Sequence, residues 1–243
     1  MRALLASALL ALALGAGCTY GGGDIAEPFQ RKFQWFSYVG GDDLKAECAP
    51  GRAPRYRFVY NATWEQQVRA YELERLQPGE GGLLRVHVLR GGARILQYWI
   101  FDTASSPAAT TITRDVRISE EQYLALIRAT EASGFGAPPP AGLQLPSWDF
   151  YWVASACADG RWHLNAWRQG QPGWDKLTFD RVLFTIDPTG VPVRRPPEWP
   201  RSWTEADYRL SYGRSTSNPD TRESDSFQLV VGREGLAGNL RAF

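Results

Sequence analysis

The sequence predicts an α+β domain in which antiparallel β-sheet dominates. Three observations support this class: hydrophobic alternation with a period of two recurs between residues 55 and 102, Gly- and Pro-rich turns separate the alternating segments, and one well-capped helical segment follows them. A meander of hairpins is the simplest arrangement of such strands. The 243 residues, of which 44% are hydrophobic, are enough to build a core.

Alternation predicts the strands one by one. In residues 55–62, three aromatic residues share one face, as in a half-buried strand. A Pro-Gly turn at 78–82 separates two further alternating segments, which predicts a β-hairpin, and an apolar strand is expected at 93–101. Segment 32–39 also has high β propensity because it is rich in aromatic residues, so we expect a strand there too.

Helical signals follow the meander. Ser119 is a preferred N-cap residue, Gln122 occupies the matching position of a capping box, and an apolar stripe then runs as far as Gly134. These features predict a helix over about 119–133. A weaker apolar stripe predicts a second helix over about 176–186.

A second hairpin is expected further along the chain. The dipeptide Asp159-Gly160 is a turn signal between two aromatic-rich segments, 148–156 and 161–167. Alternation within each segment indicates that the two strands pair.

The domain organisation follows from composition. We expect one domain over 29–243, with a candidate sub-boundary at 103–118. The Pro-rich segment 187–200 is incompatible with a continuous helix or a central strand, and we expect it to cross the domain. The polar segment 213–225 is predicted to be a mobile loop.

The N-terminus has the pattern of a targeting signal. Arg2 is followed by a run of twelve small or aliphatic residues, 3–14. This run suits the core of a signal peptide and is too short to span a bilayer as a helix. We expect residues 1–17 to be a cleaved signal peptide.

The end of this signal resembles the lipobox of bacterial lipoproteins. Ala16, Gly17 and Cys18 match the two small residues and the cysteine of that motif, whereas Gly15 replaces the usual aliphatic residue. The resemblance implies that Cys18 is lipidated on its sulfur and becomes the new N-terminus. Residues 18–28 then form a lipidated, flexible tether. The alternative is plain secretion with a free thiol at this cysteine.

The residue after the lipobox bears on localisation. Thr19 stands where aspartate would resemble the inner-membrane retention signal. The resemblance therefore implies an anchor in the outer membrane, with the domain facing the periplasm.

Two cysteines remain for other roles. Cys48 and Cys157 form an even pair, and in an oxidising compartment an even pair predicts one disulfide bond. The alternatives are a zinc site, which would need more ligands at short spacing, and a catalytic Cys157 with His163.

Composition and motifs exclude several function classes. A formal net charge of +1 gives no electrostatic case for nucleic acid as a partner. The sequence contains no phosphate-binding loop, no zinc-protease motif and no nucleophile elbow, so we expect no cofactor, no metal and no enzymatic activity. The enzymatic alternative is a hydrolase that uses His163 with Asp149 or Asp159.

Tryptophan is the most unusual feature of the composition. Seven of the ten Trp residues lie between residues 148 and 203. Such residues fill cores, stack on sugar rings or anchor protein interfaces. The candidate binding residues are Trp162, His163, Trp167 and Trp174. We expect a lipid-anchored, non-enzymatic binding or assembly factor whose partner is an envelope protein or a glycan, and the leading alternative is a peptidoglycan-binding module.

Overall fold

The computed structural model describes residues 19–64, 66–90, 111–197 and 227–239. A six-stranded antiparallel sheet lies at the centre of this part, between two covering layers. The helices are α1 (Pro28–Gly40), α2 (Asp42–Ala46), α3 (Glu120–Ala132) and α4 (Phe179–Ile186), with a 3-10 helix at Trp174–Lys176. The strands are β1 (Arg55–Ala62), β2 (Gln67–Arg75), β3 (Gly82–Arg90), β4 (Ile112–Ile118), β5 (Gln144–Pro146), β6 (Phe150–Ala158), β7 (Arg161–Arg168), β8 (Gln228–Val231) and β9 (Leu236–Asn239).

The strand order of the large sheet is β4-β3-β2-β1-β6-β7, with antiparallel pairing throughout. Strands β1 to β3 lie within the meander predicted over 55–102, β4 extends it beyond the predicted range, and the β6–β7 hairpin joins it along β1. A small three-stranded sheet has the order β5-β8-β9. The predicted class, an α+β domain rich in antiparallel sheet, is confirmed.

The two faces of the large sheet hold separate cores. The first face carries most of the large aromatic side chains, including Phe58, Tyr71 and Trp152, and lies under α3 and α4. The second face carries smaller residues such as Val59 and Val153, and it packs against α1, the N-terminal segment and the small sheet. Because side chains alternate between the two faces along each strand, one layer is mainly aromatic, and the other contains both aromatic and aliphatic side chains.

The predicted strand at 32–39 is wrong, because this segment belongs to α1. Arg31, Trp35, Tyr38 and Val39 are buried, and their spacing is that of one helical face. Packing against the sheet thus overrides the β propensity of the aromatic residues. The helix ends at Gly41, whose φ of 70° suits the left-handed C-cap conformation.

The helix predicted over 119–133 is confirmed as α3. The Ser119 side chain accepts a hydrogen bond from the Gln122 amide, and the Gln122 side chain accepts one from the Ser119 amide. The second predicted helix, 176–186, corresponds in its later part to α4. The described residues contain four α-helices in place of the two expected.

The linking segments expected between the elements are only partly described by the structure. The strand β4 lies within 103–118, the segment expected to contain a boundary inside the domain. Residues 187–197 of the Pro-rich segment contain neither helix nor strand. The predicted strand at 93–101 and the predicted loop at 213–225 lie outside the described residues.

The predicted disulfide is present. Cys48, which follows α2, is bonded to Cys157 near the end of β6, with 5.5 Å between their Cα atoms. The bond closes a sequence separation of 109 residues and ties α2 to the second face of the sheet.

The N-terminal segment is packed rather than extended from the domain. Tyr20 and Ile25 are buried in the second layer, and the Tyr20 amide donates a hydrogen bond to Ser37 Oγ at 2.8 Å. The folded domain therefore begins inside the stretch expected to be a tether. No helix within the described ranges is both long and apolar enough to cross a membrane.

Candidate functional site

A row of alternating charges crosses four strands on the second face of the sheet. Arg57 on β1 lies opposite Glu72 on β2, Glu72 lies opposite Arg85 on β3, and Arg85 lies opposite Asp115 on β4. We call these four residues the charge ladder. Opposite charges in direct cross-strand register attract, so the ladder is favourable where it reaches solvent. At its inner end the same charges are buried and need partners.

Arg57 is the buried end of the charge ladder. Its guanidinium donates to both carboxylate oxygens of Asp43, at 2.7 and 2.8 Å, and to the Tyr38 carbonyl oxygen at 2.9 Å. The guanidinium also stacks over the Tyr38 ring, 3.9 Å from its centroid. Since Asp43 belongs to α2, this bidentate pair fixes the α1–α2 corner to the sheet.

Glu72 lies between the side chains of Arg57 and His87. Its Oε1 is 3.4 Å from an Arg57 nitrogen, and its Oε2 is 3.8 Å from His87 Nε2. Burial by itself raises the pKa of Glu72, but the polar contact with His87 and the charge of Arg57 outweigh burial and lower the pKa to about 2. Glu72 is therefore an ionised carboxylate at neutral pH. The other ring nitrogen of His87, Nδ1, is 2.9 Å from Thr113 Oγ1.

Two phenols complete the surroundings of Glu72. Burial, reinforced by the Glu72 carboxylate, raises the pKa of Tyr20 to about 12. Burial also raises the pKa of Tyr38 well above its ordinary value. Both phenols are thus neutral at physiological pH. The Tyr38 hydroxyl also interacts with the Glu72 carboxylate, which raises the pKa of Tyr38 further and helps to lower that of Glu72. Within the described part of the chain, Arg57 Nε is a buried atom without a hydrogen-bond partner, an arrangement that is costly and uncommon.

A cavity of about 250 Å³ opens beside this cluster. Tyr20, Arg57 and Glu72 contribute to its wall, and Arg55 and Arg85 also line it. The side chains of Arg55 and Arg85 are 36% and 46% exposed, whereas that of Glu72 is 25% exposed. The cavity therefore presents a partly enclosed carboxylate together with more exposed guanidinium groups. We call it the Glu72 cavity.

The tryptophans predicted from the sequence do not form one surface. Trp162 is half-buried on the second face, where Lys45 Nζ lies 4.6 Å from its ring centroid. Trp167 is buried in the core of the first face and donates from its indole nitrogen to the Ser133 carbonyl oxygen at 3.1 Å. Trp174 packs against that same core. The sheet separates Trp162 from the other two, so the expected three-Trp platform is not assembled.

His163 is also away from the acids proposed to orient it. It lies opposite Ala156 on β6, and Asp149 is seven residues further along, about 23 Å away at strand spacing. His163 Nε2 contacts the Ala137 carbonyl oxygen at 3.1 Å, and its ring meets Phe135 edge to face. Among the described residues, no hydrogen bond or ion pair joins His163 to Asp159. The hydrolase arrangement is therefore not formed.

The sequence reasoning missed Arg57, Glu72 and His87. Their only signal is that polar residues recur on one face of each strand, and their alignment depends on the register between strands. The pairing of Asp43 with Arg57 depends on how α2 packs against the sheet. These relations involve tertiary structure, which local patterns do not encode.

Comparison of the chain with family models, curated proteins and solved structures finds no match. The candidate site therefore rests on its own geometry. Among the described residues, no group of three or more His, Cys, Asp or Glu side chains is arranged to hold a metal ion.

Proposed function

We propose that the chain is a lipid-anchored binding protein of a bacterial cell envelope, attached through Cys18 to the outer membrane and facing the periplasm. The lipobox-type sequence before Thr19 supports the anchor. The Cys48–Cys157 disulfide supports export, because such bonds persist in oxidising compartments. The packed Tyr20 leaves a short connection between anchor and domain.

The observation that carries the binding role is the Glu72 cavity. Its partly enclosed carboxylate suits an ammonium group, and its exposed Arg55 and Arg85 suit an anionic group. The nearest partners of these arginines, Glu47 and Asp115, are themselves solvent-exposed, and Arg55 also lies 3.8 Å from the buried Asp43. Exposed ion pairs contribute about 0–1 kcal/mol, so a ligand anion can replace them at small cost. The proposed ligand is a small zwitterion.

Binding fits this cavity better than catalysis. Its described lining residues include acids, arginines and tyrosines, but no Ser, Thr or Cys that would serve as a nucleophile. The contact with His87 and the charge of Arg57 also keep the pKa of Glu72 low, whereas a general base works best with a pKa near the working pH.

The anchor is tested by mass spectrometry of full-length protein produced in a bacterial host. We expect a mature N-terminus at an acylated Cys18, and we expect Cys18→Ser to lose the acyl mass and partition into the aqueous phase. A mature wild-type chain with an unmodified Cys18, or one that starts elsewhere, contradicts the anchor.

The binding role is tested by thermal unfolding with phosphoethanolamine as the probe. Two control ligands each carry one of its charged groups: ethanolamine carries the ammonium group, and inorganic phosphate carries the anionic group. We expect phosphoethanolamine to raise Tm more than either control ligand does, and Glu72→Gln to remove the difference. Glu121→Gln, on the exposed surface of α3, is the control variant. Equal responses to all three compounds contradict the proposal.

A further inference from the structure

We infer that the exposed surface of α1 around Phe33 is a membrane-contact surface, which lies on the lipid headgroups beside the acylated N-terminus. This inference rests on the proposed lipidation of Cys18. It adds an orientation: the α1 side of the domain faces the bilayer, and the α3 side faces away from it.

The path of the N-terminal segment places the anchor next to this part of α1. The Tyr20 amide is bonded to Ser37 Oγ at 2.8 Å, and Gln30 Nε2 donates to the Gly22 carbonyl oxygen at 2.6 Å. The segment therefore runs along one side of α1. Phe33 is three residues from Gln30 and four from Ser37, so all three lie on the same side of the helix.

The anchor is also close in distance. Cys18 precedes Tyr20 by two residues, a span of at most about 7 Å. Ser37 and Phe33 are separated by about 6 Å along the helix axis. With the Tyr20–Ser37 hydrogen bond added, chain length alone limits the separation between the acylated residue and Phe33 to about 20 Å. An acyl chain inserted at Cys18 thus holds this side of the domain near the headgroups.

The chemistry of the surface suits a bilayer. Phe33 is 43% exposed, and Lys32 Nζ lies 5.9 Å from its ring centroid. Residues 28–40 contain no acidic residue, and Lys32 is the cation near Phe33, since Arg31 is buried against the sheet. An aromatic side chain that enters the headgroup region beside a cation is typical of helices that lie on anionic membranes.

Leu124 provides an internal comparison. It is 40% exposed, so its accessibility is close to that of Phe33. It belongs to α3, which covers the first face of the sheet, whereas α1 covers the second. Only one of these two side chains can face a bilayer that lies against α1.

Hydroxyl-radical footprinting with mass spectrometry tests the inference on the full chain. Lipidated protein in phosphatidylethanolamine–phosphatidylglycerol vesicles is compared with the Cys18→Ser variant in solution. We expect the oxidation rate of Phe33 to fall several-fold in vesicles and that of Leu124 to stay the same. An unchanged Phe33, or equal protection of both residues, overturns the inference while the anchor stands. Absence of the acyl group from the wild-type protein overturns both.

A second measurement uses variants. Phe33→Ser is expected to speed transfer of the lipidated protein between vesicles about fivefold, the effect of losing partial burial of one aromatic ring. Leu124→Ser is expected to leave the transfer rate unchanged. Equal transfer rates for the two variants contradict a contact made by Phe33.

Discussion

The two faces of the six-stranded sheet are made by the same strands, and on each face a buried arginine pairs with an aspartate of the covering layer; the faces differ in what lies beside that pair. On the first face, Trp152 contacts the rings of Tyr60 and Phe179. A buried Arg69–Asp187 pair also joins β2 to the residue that follows α4. On the second face, the Arg57–Asp43 pair joins α2 to the sheet through buried charge. The first face therefore mainly maintains the fold, whereas the second combines a structural contact with an ionised carboxylate that lines a cavity.

The largest effect is expected from the aromatic face. Trp152→Ala removes a side chain that is 1% exposed at the centre of the first core. We expect the free energy of unfolding to fall by about 3–5 kcal/mol, measured by urea denaturation. Leu124→Ala, at an exposed site, is the control and should change it by less than about 1 kcal/mol. Similar losses for the two variants would contradict the proposed packing.

The next effect concerns the buried ion pair. Asp43→Ala leaves the guanidinium of Arg57 buried without its bidentate partner, and we expect a loss of about 3–5 kcal/mol in urea denaturation. Replacing both partners, Asp43→Leu with Arg57→Met, should cost clearly less, because no buried charge remains. A double variant as unstable as Asp43→Ala would show that packing, rather than charge, determines the loss.

The fold was more predictable from the sequence than the candidate site was. Alternation in 55–62 depends on neighbouring residues and correctly predicted β1, and counting cysteines predicted the Cys48–Cys157 bond. Segment 32–39 was misassigned because its aromatic residues favour strands locally, while their burial against the sheet requires a helix.

The site depends on relations that sequence patterns do not contain. The abundance of Trp made these residues candidates for a binding site, but composition does not predict that Trp162 and Trp167 lie on opposite faces of the sheet. Conversely, Glu72 looks like any exposed strand residue until the register of three strands places it between Arg57 and Arg85.

A pH dependence is expected from Glu72 on the second face. Its pKa of about 2 lies below the ordinary value of 4.5, so it stabilises the fold above pH 4.5, and this contribution is lost as the pH falls towards 2. The contribution is on the order of 3 kcal/mol. Glu72→Gln should therefore flatten the acid side of the stability profile in urea denaturation at pH 5 to 2. Glu121→Gln should keep the wild-type slope, and an equally steep profile for Glu72→Gln would count against the low pKa.

The smallest effect is expected at the start of α3, on the first face. Ser119→Ala removes the N-cap hydrogen bond from the Gln122 amide. We expect a loss of about 1 kcal/mol, visible as a lower urea midpoint with an unchanged slope. Ser119→Asp, which retains a cap acceptor, should restore most of the stability. Failure of the aspartate to do so would indicate that the capping box contributes little.

The role of Glu72 as an ionised, ligand-binding carboxylate is tested most directly by a carboxyl NMR titration with and without phosphoethanolamine. We expect Glu72 to titrate near pH 2, and we expect its carboxyl resonance to shift when phosphoethanolamine is added at neutral pH. A Glu72 that titrates near 4.5 and does not respond to the ligand would contradict the claim that the second face holds an ionised carboxylate for binding.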